Sequence, residues 1–308
     1  MNYKSFWHLK NNESKIISET YEMLSLDTVE IESLYSSISL GTEKIVAQGK
    51  VPSTVYKKMA VPYMRGNFDF PIQYGYSLVG KTKKNQLVHL MHPHQTMCFV
   101  NEKDCFVCED ETQPILATQL SNMETVINAI WVSKIKPNQK VLVCGLGSIG
   151  ILLAETLKNY CKAVVFVKET NDYKLDFLAK KGFSIAEENQ EFHLCFHVSA
   201  TQNGLQYCID HSAKEGKIIE LSWYGNNAIS IRLGEKFHYN RLQIISSQVS
   251  EIPFEKAETE DFLSRKKLAE KLLQLIPIRD YISLIAFEDL PDYFKNTPKN
   301  HFITVVKY

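Results

Sequence analysis

The sequence has no excess of either charge. Its 35 Lys and Arg are matched by 35 Asp and Glu, and the formal net charge is zero. Nucleic acids and anionic membranes both call for a basic surface, so this balance argues against either as the main partner. No run approaches the roughly 20 apolar residues of a membrane span. The opening Met1-Asn-Tyr-Lys-Ser-Phe-Trp-His8 lacks the apolar stretch of a secretory signal. A disulfide framework is missing too: the seven cysteines are odd in number and scattered, with Cys144 and Cys195 inside apolar segments. Such thiols read as reduced core residues, and a cytoplasmic protein is expected. Repeats and low-complexity segments are also lacking. What remains is 308 residues of ordinary globular composition, enough for two domains with their own cores.

Two patterns follow each other along the chain. From Ile16 to Val61 short apolar clusters (Ile16-Ile17, Val29-Glu-Ile31, Ile45-Val46) alternate with polar residues, as short strands and turns do. Pro62, Pro71, Gly66, Gly75 and Gly80 then punctuate a loop-rich region, followed by strand-like Leu87–Met91 and Met97–Val100. From Leu116 to Trp131 the apolar spacing becomes helical. Beyond Lys136-Pro137 strands and helices alternate: Val141–Cys144, Ile151–Tyr160, Ala163–Val167, Tyr173–Lys181 closed by Gly182, Leu194–Val198, Leu205–Asp210 and Ile218–Leu221. A helix from about Asp261 to Leu275 and a strand at Phe302–Val306 follow. The alternation predicts an α/β fold with a parallel sheet covered by helices on both faces.

Gly145-Leu-Gly147-Ser148-Ile149-Gly150 lies where a dinucleotide loop belongs. It follows the strand Val141–Cys144 and opens the helix from Ile151, and Glu169 ends the next strand 19 positions after Gly150. Gly145 permits the tight turn, Gly147 leaves room for a diphosphate, and Gly150 allows close packing of the helix. The helix start, with Ser148 and Ile149, offers N–H groups to phosphate oxygens. Glu169 is placed to accept hydrogen bonds from an adenosine ribose diol. Its charge favours NAD over NADP, a preference tempered by Lys168 and Lys174.

With these residues in hand, the chain resembles the medium-chain dehydrogenase/reductase superfamily, the alcohol-dehydrogenase-like proteins, over nearly its whole length. The segments carrying the likeness are Ser39-Leu-Gly-Thr-Glu43, Gln73-Tyr-Gly-Tyr-Ser-Leu-Val-Gly80, His92-Pro-His-Gln95, Asn122-Met-Glu-Thr125, Glu220-Leu-Ser-Trp-Tyr-Gly225 and Ser246-Ser-Gln-Val249. Within that superfamily they resemble a zinc-poor branch that includes the hydroxyethyl-bacteriochlorophyllide dehydrogenases. The resemblance implies a GroES-like β-domain at about 1–118, completed by about 277–308, and a Rossmann doubly wound domain at 119–276. A small-molecule substrate is expected in the cleft between them, and a homodimer is the family's usual assembly.

The zinc enzymes of the superfamily carry Cys-Gly-Thr-Asp and then Gly-His-Glu. Here the Cys position is Leu40, the His-Glu position is Tyr76-Ser77, and Leu116–Thr125 holds no Cys. Catalytic zinc takes about three protein ligands, so none is expected. Cys105-Phe-Val-Cys108 has no second pair to build a structural zinc site. A site from His92, His94 and His238 is a weaker alternative without fixed spacing.

Hydride chemistry on a carbonyl then needs a proton donor or an electrophile, which without zinc a side chain or an ordered water must provide. Tyr76 is the first candidate, because it stands at the position of the family's zinc-ligating His; the alternative is a tyrosine that only packs. His94 is a candidate proton relay, or else a hydrogen-bonded loop histidine. Thr42 would extend a proton path toward a ribose, and Glu124 is a second acid in a cleft-lining segment; Glu43 and Glu124 read equally well as structural. By resemblance Ser199, Ser222, Trp223, Tyr224, Ser247 and Gln248 flank the nicotinamide. Arg241 would hold an acidic substrate group or form a surface pair. The expected function is a zinc-independent NAD(H)-dependent oxidoreductase for an alcohol/carbonyl pair. The alternatives are a non-catalytic redox sensor and an NADPH-dependent quinone or enone reductase.

Overall fold

The computed structural model describes residues 2–21 and 28–308. The chain forms two compact units, Met1–Ser121 with Gly225–Asn227 and Ile282–Tyr308, and Asn122–Tyr224 with Ala228–Tyr281.

In the second unit six strands pair in parallel, in the order Ser184–Ile185, Val164–Lys168, Lys140–Cys144, Phe192–His197, Ser212–Glu220, Gln243–Ser246. The chain starts at Lys140–Cys144, moves outward to one edge, returns to the other side of its first strand and moves outward again. That reversal marks the crevice where open α/β sheets bind ligands, at the carboxyl ends of the strands. Val141, Leu142, Val143 and Cys144 are all buried, as a strand covered on both faces requires. Leu142, Phe192, Cys195, Leu205, Cys208 and Ile218 pack one side of the core.

Three helices of this unit start where capping residues satisfy their first N–H groups. The Asn171 side chain accepts from Lys174 N–H before Asp172–Lys180, and Thr201 accepts from Gly204 N–H before Gln202–Asp210. Asp261 and Ser264 cap reciprocally before Phe262–Leu275. Gly182, at φ +75°, lies just past the end of Asp172–Lys180, where a left-handed residue closes a helix.

The first unit is mostly β. One sheet orders Glu13–Thr20, Asn2–Lys10, Ile72–Gln73 and Arg65–Gly66. The other orders Ile282–Ala286, Ile303–Lys307, Thr28–Ile38, Leu78–Thr82, Leu87–Leu90 and Phe106–Val107, and Met97–Asn101 also pairs with Thr28–Ile38.

Three sequence expectations need correction. Ile45-Val46 is not a strand but part of the helix Leu40–Ala47. The cause is Glu43, whose Oε1 accepts Ser39 N–H at 2.7 Å and starts a helix that apolar spacing did not suggest. The helical run from Leu116 is broken into Pro114–Ala117 and Leu120–Ser133. The edge strands Ser184–Ile185 and Gln243–Ser246 went unread, being two and four residues long. Residues 22–27 of the predicted strand-and-turn region lie outside the described residues. Among the described residues, no helix is long and apolar enough to cross a membrane.

Candidate functional site

The glycine loop leaves Lys140–Cys144 and enters the helix Ser148–Asn159. Gly145 has φ +98°, and a Cβ there would stand 2.7 Å from the Ser199 backbone. A Cβ on Gly150 would lie 1.9 Å from the Gly145 carbonyl oxygen, so the third glycine is needed by the loop itself as much as by helix-to-sheet packing. Gly147 differs from both: it is exposed, and a Cβ there would meet nothing within 4 Å. It precedes the helix without a side-chain cap, and Ser148 and Ile149 follow half-buried. An open backbone cradle at the positive end of a 12-residue helix fits a diphosphate.

Glu169 faces this loop. Its Oε2 accepts Leu146 N–H at 3.0 Å, and its Oε1 accepts the N–H groups of Thr170 at 2.7 Å and Asn171 at 3.2 Å. The Lys174 ammonium donates to the Leu146 carbonyl at 3.2 Å, and burial lowers its pKa against the pull of Glu169. Lys168 turns its ammonium onto the Tyr207 ring, 4.4 Å from the centroid.

The ends of the next two strands form a polar network that the sequence did not announce. His197 and Glu220 are register partners, each the last residue of its strand. His197 is fully buried; its Nδ1 lies 2.7 Å from Glu220 Oε2 and its Nε2 lies 2.7 Å from Ser199 Oγ. Ser199 Oγ also meets Thr201 Oγ1 at 2.8 Å. The Tyr224 hydroxyl donates to Glu220 Oε2 at 3.0 Å, Ser222 N–H to Glu220 Oε1 at 2.7 Å, and Ala200 N–H to Ser222 Oγ at 3.0 Å. Of the residues expected near a nicotinamide, Ser199, Ser222 and Tyr224 therefore come together. Ser247 Oγ and the Gln248 carbonyl both accept from the Asn128 side chain, and Trp223 is half-buried.

In the first unit Tyr76, Thr42 and His94 converge around Glu43. The half-buried Tyr76 phenol hydrogen-bonds with Ser39 and Thr42. Burial first, and then the Glu43 charge, push its pKa up to about 12. Glu43 and His94 are both buried, with His94 Nε2 2.9 Å from Glu43 Oε2. His94 Nδ1 meets Ser36 Oγ at 2.7 Å, and Ser36 meets the Tyr308 hydroxyl at 2.9 Å. A cue for Glu43 existed in Ser39-Leu-Gly-Thr-Glu43; Ser36 and Tyr308 had none.

The other candidates stand apart from these clusters. Glu124, in the second unit, is paired with Arg265 Nε at 3.3 Å and Lys266 Nζ at 3.9 Å, in a helix-to-helix contact. Arg241 is exposed and paired with Glu215. His92 stacks on Tyr63 at 5.2 Å, and His238 is exposed. At the positions that the resemblance matches to zinc ligands, Leu40 packs against the apolar cluster that includes Phe6 and Ile38, and Ser77 donates to the Thr118 carbonyl at 2.6 Å. Among the described residues no three His, Cys, Asp or Glu are gathered as ligands.

Two buried histidines of the first unit make its stability depend on pH. Burial lowers the pKa of His92 to about 4 and that of His8 to about 3. Unfolded, both take up a proton near pH 6.5. Below that pH the unfolded chain binds more protons than the native one, so stability is full above 6.5 and is lost as pH falls toward 4. Urea unfolding should show a loss of about 1.4 kcal/mol per pH unit per histidine in that window. His92→Asn should flatten the slope by one histidine's share; an unchanged slope would remove His92 from the account.

No family model matches the sequence, and no curated protein matches it. Solved structures do match, over the full length. One is a short chain alcohol dehydrogenase, rspB, from E. coli CFT073 complexed with NADH, with TM-score 0.76 and 14% identity, covering 100% of this chain and 99% of that one. The fold is that of the alcohol dehydrogenases. This dehydrogenase fold is shared with L-idonate 5-dehydrogenase from E. coli K-12, at TM-score 0.78, 12% identity and coverage of 100% and 99%. It is shared as well with a Sinorhizobium meliloti 1021 protein described as a zinc-binding dehydrogenase and bound to NADP, at TM-score 0.77, 14% identity and 100% of both chains. That fold combines a GroES-like part and a Rossmann part.

Proposed function

We propose that this chain is a zinc-independent, NAD(H)-dependent oxidoreductase acting on an alcohol/carbonyl pair of a small molecule. The observation that carries the reading is the open cradle at Gly147, at an uncapped helix start, with Glu169 fastened beside it. The bound nicotinamide supplies the hydride acceptor or donor. The chain's own residues do the rest. The loop N–H groups hold the diphosphate, and Glu169 accepts from the adenosine ribose and repels a 2′-phosphate.

Tyr76 supplies the proton. A phenol with a pKa of about 12 stays protonated at neutral pH. It is still a stronger acid than an aliphatic alcohol in the same site, the conjugate acid of the alkoxide. Donation from Tyr76 to a developing alkoxide is therefore downhill. Thr42 and Ser39 hold the phenol in place, and His94 with Glu43 forms the buried pair behind it. On this reading the first unit provides the proton-handling side chains and the second the dinucleotide site, in a cytoplasmic homodimer.

Titration of tryptophan fluorescence with NADH and NADPH tests the proposal, together with metal analysis of the purified protein. NADH should bind tighter than NADPH by about tenfold, the equivalent of one unfavourable carboxylate–phosphate encounter of about 1.4 kcal/mol. Tighter NADPH binding would favour the enone-reductase reading, and stoichiometric zinc would remove Tyr76 as the proton donor. Tight NADH binding without turnover on any alcohol, aldehyde or enone would leave a redox sensor.

A further inference from the structure

A cavity of about 470 Å³ opens in the first unit between three stretches that are distant in sequence. Its walls are the turn after Asn2–Lys10, the last turn of Leu40–Ala47 and the end of the helix Leu290–Lys295. That size lies in the range of small-molecule sites. The charge on its walls has one sign: Lys44 and Lys295 line it, and no Asp or Glu does. Among the described residues neither ammonium is ion-paired. The side-chain amides of Asn12 and Gln48, which also line the cavity, have no hydrogen-bond partner there.

These groups are not taken up in closing the helix. A helix leaves its last four carbonyls without intrahelical partners, and a lysine in the last turn can serve them. In Leu40–Ala47 the main chain does so instead. The carbonyls of Lys44, Ile45, Val46 and Ala47 accept the N–H groups of Gln48, Lys50, Gly49 and Asn12, at 3.0, 2.9, 2.9 and 2.8 Å. The last of these bonds also fastens the turn to the helix, with Asn12 at φ +56°, a conformation that Asn tolerates. The wall from Leu290–Lys295 is fixed as well. Thr297 Oγ1 donates to the Tyr293 carbonyl at 3.0 Å, and Asn296 Nδ2 to Asp292 Oδ1 at 2.7 Å. The half-buried Phe294 ring stacks on Phe6 at 5.3 Å and meets His8 edge-on at 4.9 Å.

Two uncompensated cations and two unpartnered amides suit an oxyanion of charge near −2, as a phosphate monoester carries at neutral pH. Phe294 adds apolar surface that inorganic phosphate cannot use. We propose that this cavity binds an organic phosphate monoester, with Lys44 and Lys295 on its phosphate, Asn12 and Gln48 donating to its oxygens, and its organic body against Phe294. The proposal stands apart from the dinucleotide reading, since these residues belong to the first unit and the glycine loop to the second.

The test is calorimetric titration at low salt with glucose 6-phosphate, phenyl phosphate, inorganic phosphate and glucose. It uses wild type, Lys44→Gln, Lys295→Gln, the double lysine variant and Phe294→Leu. At least one of the two esters should bind wild type about fivefold tighter than inorganic phosphate, and glucose should not bind. Each lysine substitution should weaken that ester by about three- to fivefold, the value of one exposed charge contact, and the double variant by more than about tenfold. Phe294→Leu should weaken the ester and leave inorganic phosphate unchanged. NADH affinity and the thermal midpoint should keep their wild-type values in the lysine variants. Esters bound no tighter than inorganic phosphate, no binding of any phosphate, a double lysine variant that binds like wild type, or NADH weakening alongside the ester would overturn the proposal.

Discussion

Gly147→Val should abolish NADH binding in the measurable range while leaving the protein folded. The two consequences separate because of where the added carbon atoms go. A Cβ at 147 meets no protein atom within 4 Å, and Gly147 has φ −80° in the extended region, which any residue can adopt. The fold therefore has no objection, and thermal unfolding should stay within about 2 °C of wild type, as for surface substitutions away from special features. A diphosphate seated on this loop would object, since branched carbons would occupy its approach to the helix N-terminus, and an affinity loss above about 100-fold is expected, near 2.8 kcal/mol. Gly150→Ala serves as the contrast. Its Cβ would lie 1.9 Å from the Gly145 carbonyl, so stability and binding should fall together. Undiminished NADH affinity in Gly147→Val would mean that no diphosphate lies on this loop.

Tyr76→Phe should lower kcat by about 100- to 1,000-fold with NADH affinity within twofold, the range for loss of a positioned acid. The ring is kept, so its edge contact with Tyr74 at 6.1 Å persists and the local packing is retained. What goes is the hydroxyl that Ser39 and Thr42 hold beside the Glu43 charge. Stopped-flow binding and steady-state turnover on the same preparation separate the two effects. Turnover within twofold of wild type would take Tyr76 out of the chemistry and leave it a packing residue.

The parts legible in the sequence were those encoded over a few neighbouring positions. A glycine loop between a strand and a helix announces itself within ten residues, and the structure has that order, with Gly145 at positive φ. The alternating strands and helices likewise reveal a parallel sheet. What escaped depends on distant pairing. His197 and Glu220 lie 23 positions apart and meet only because their strands are neighbours in parallel register. Glu43 and His94 are 51 positions apart, on a helix and a loop. Strand order is a property of the folded sheet, and single-residue patterns do not contain it. The misread at Ile45-Val46 has a local cause instead: two adjacent β-branched residues suggest a strand, but Glu43 reaching back to Ser39 outweighs that preference. Glu124 drew notice as an acid in a family-like segment. Its partners Arg265 and Lys266 come from a helix more than a hundred residues later, and no spacing rule links them.

Leu146 is held at both of its peptide groups, its N–H by Glu169 and its carbonyl by Lys174. A loop anchored in this way before a ligand arrives has little conformational freedom left to surrender on association. Preorganisation of this kind lets more of the contact energy appear as affinity. On the proposed reading Glu169 then has two tasks, shaping the receptor and greeting the ligand, so a substitution there should slow association as well as hasten release.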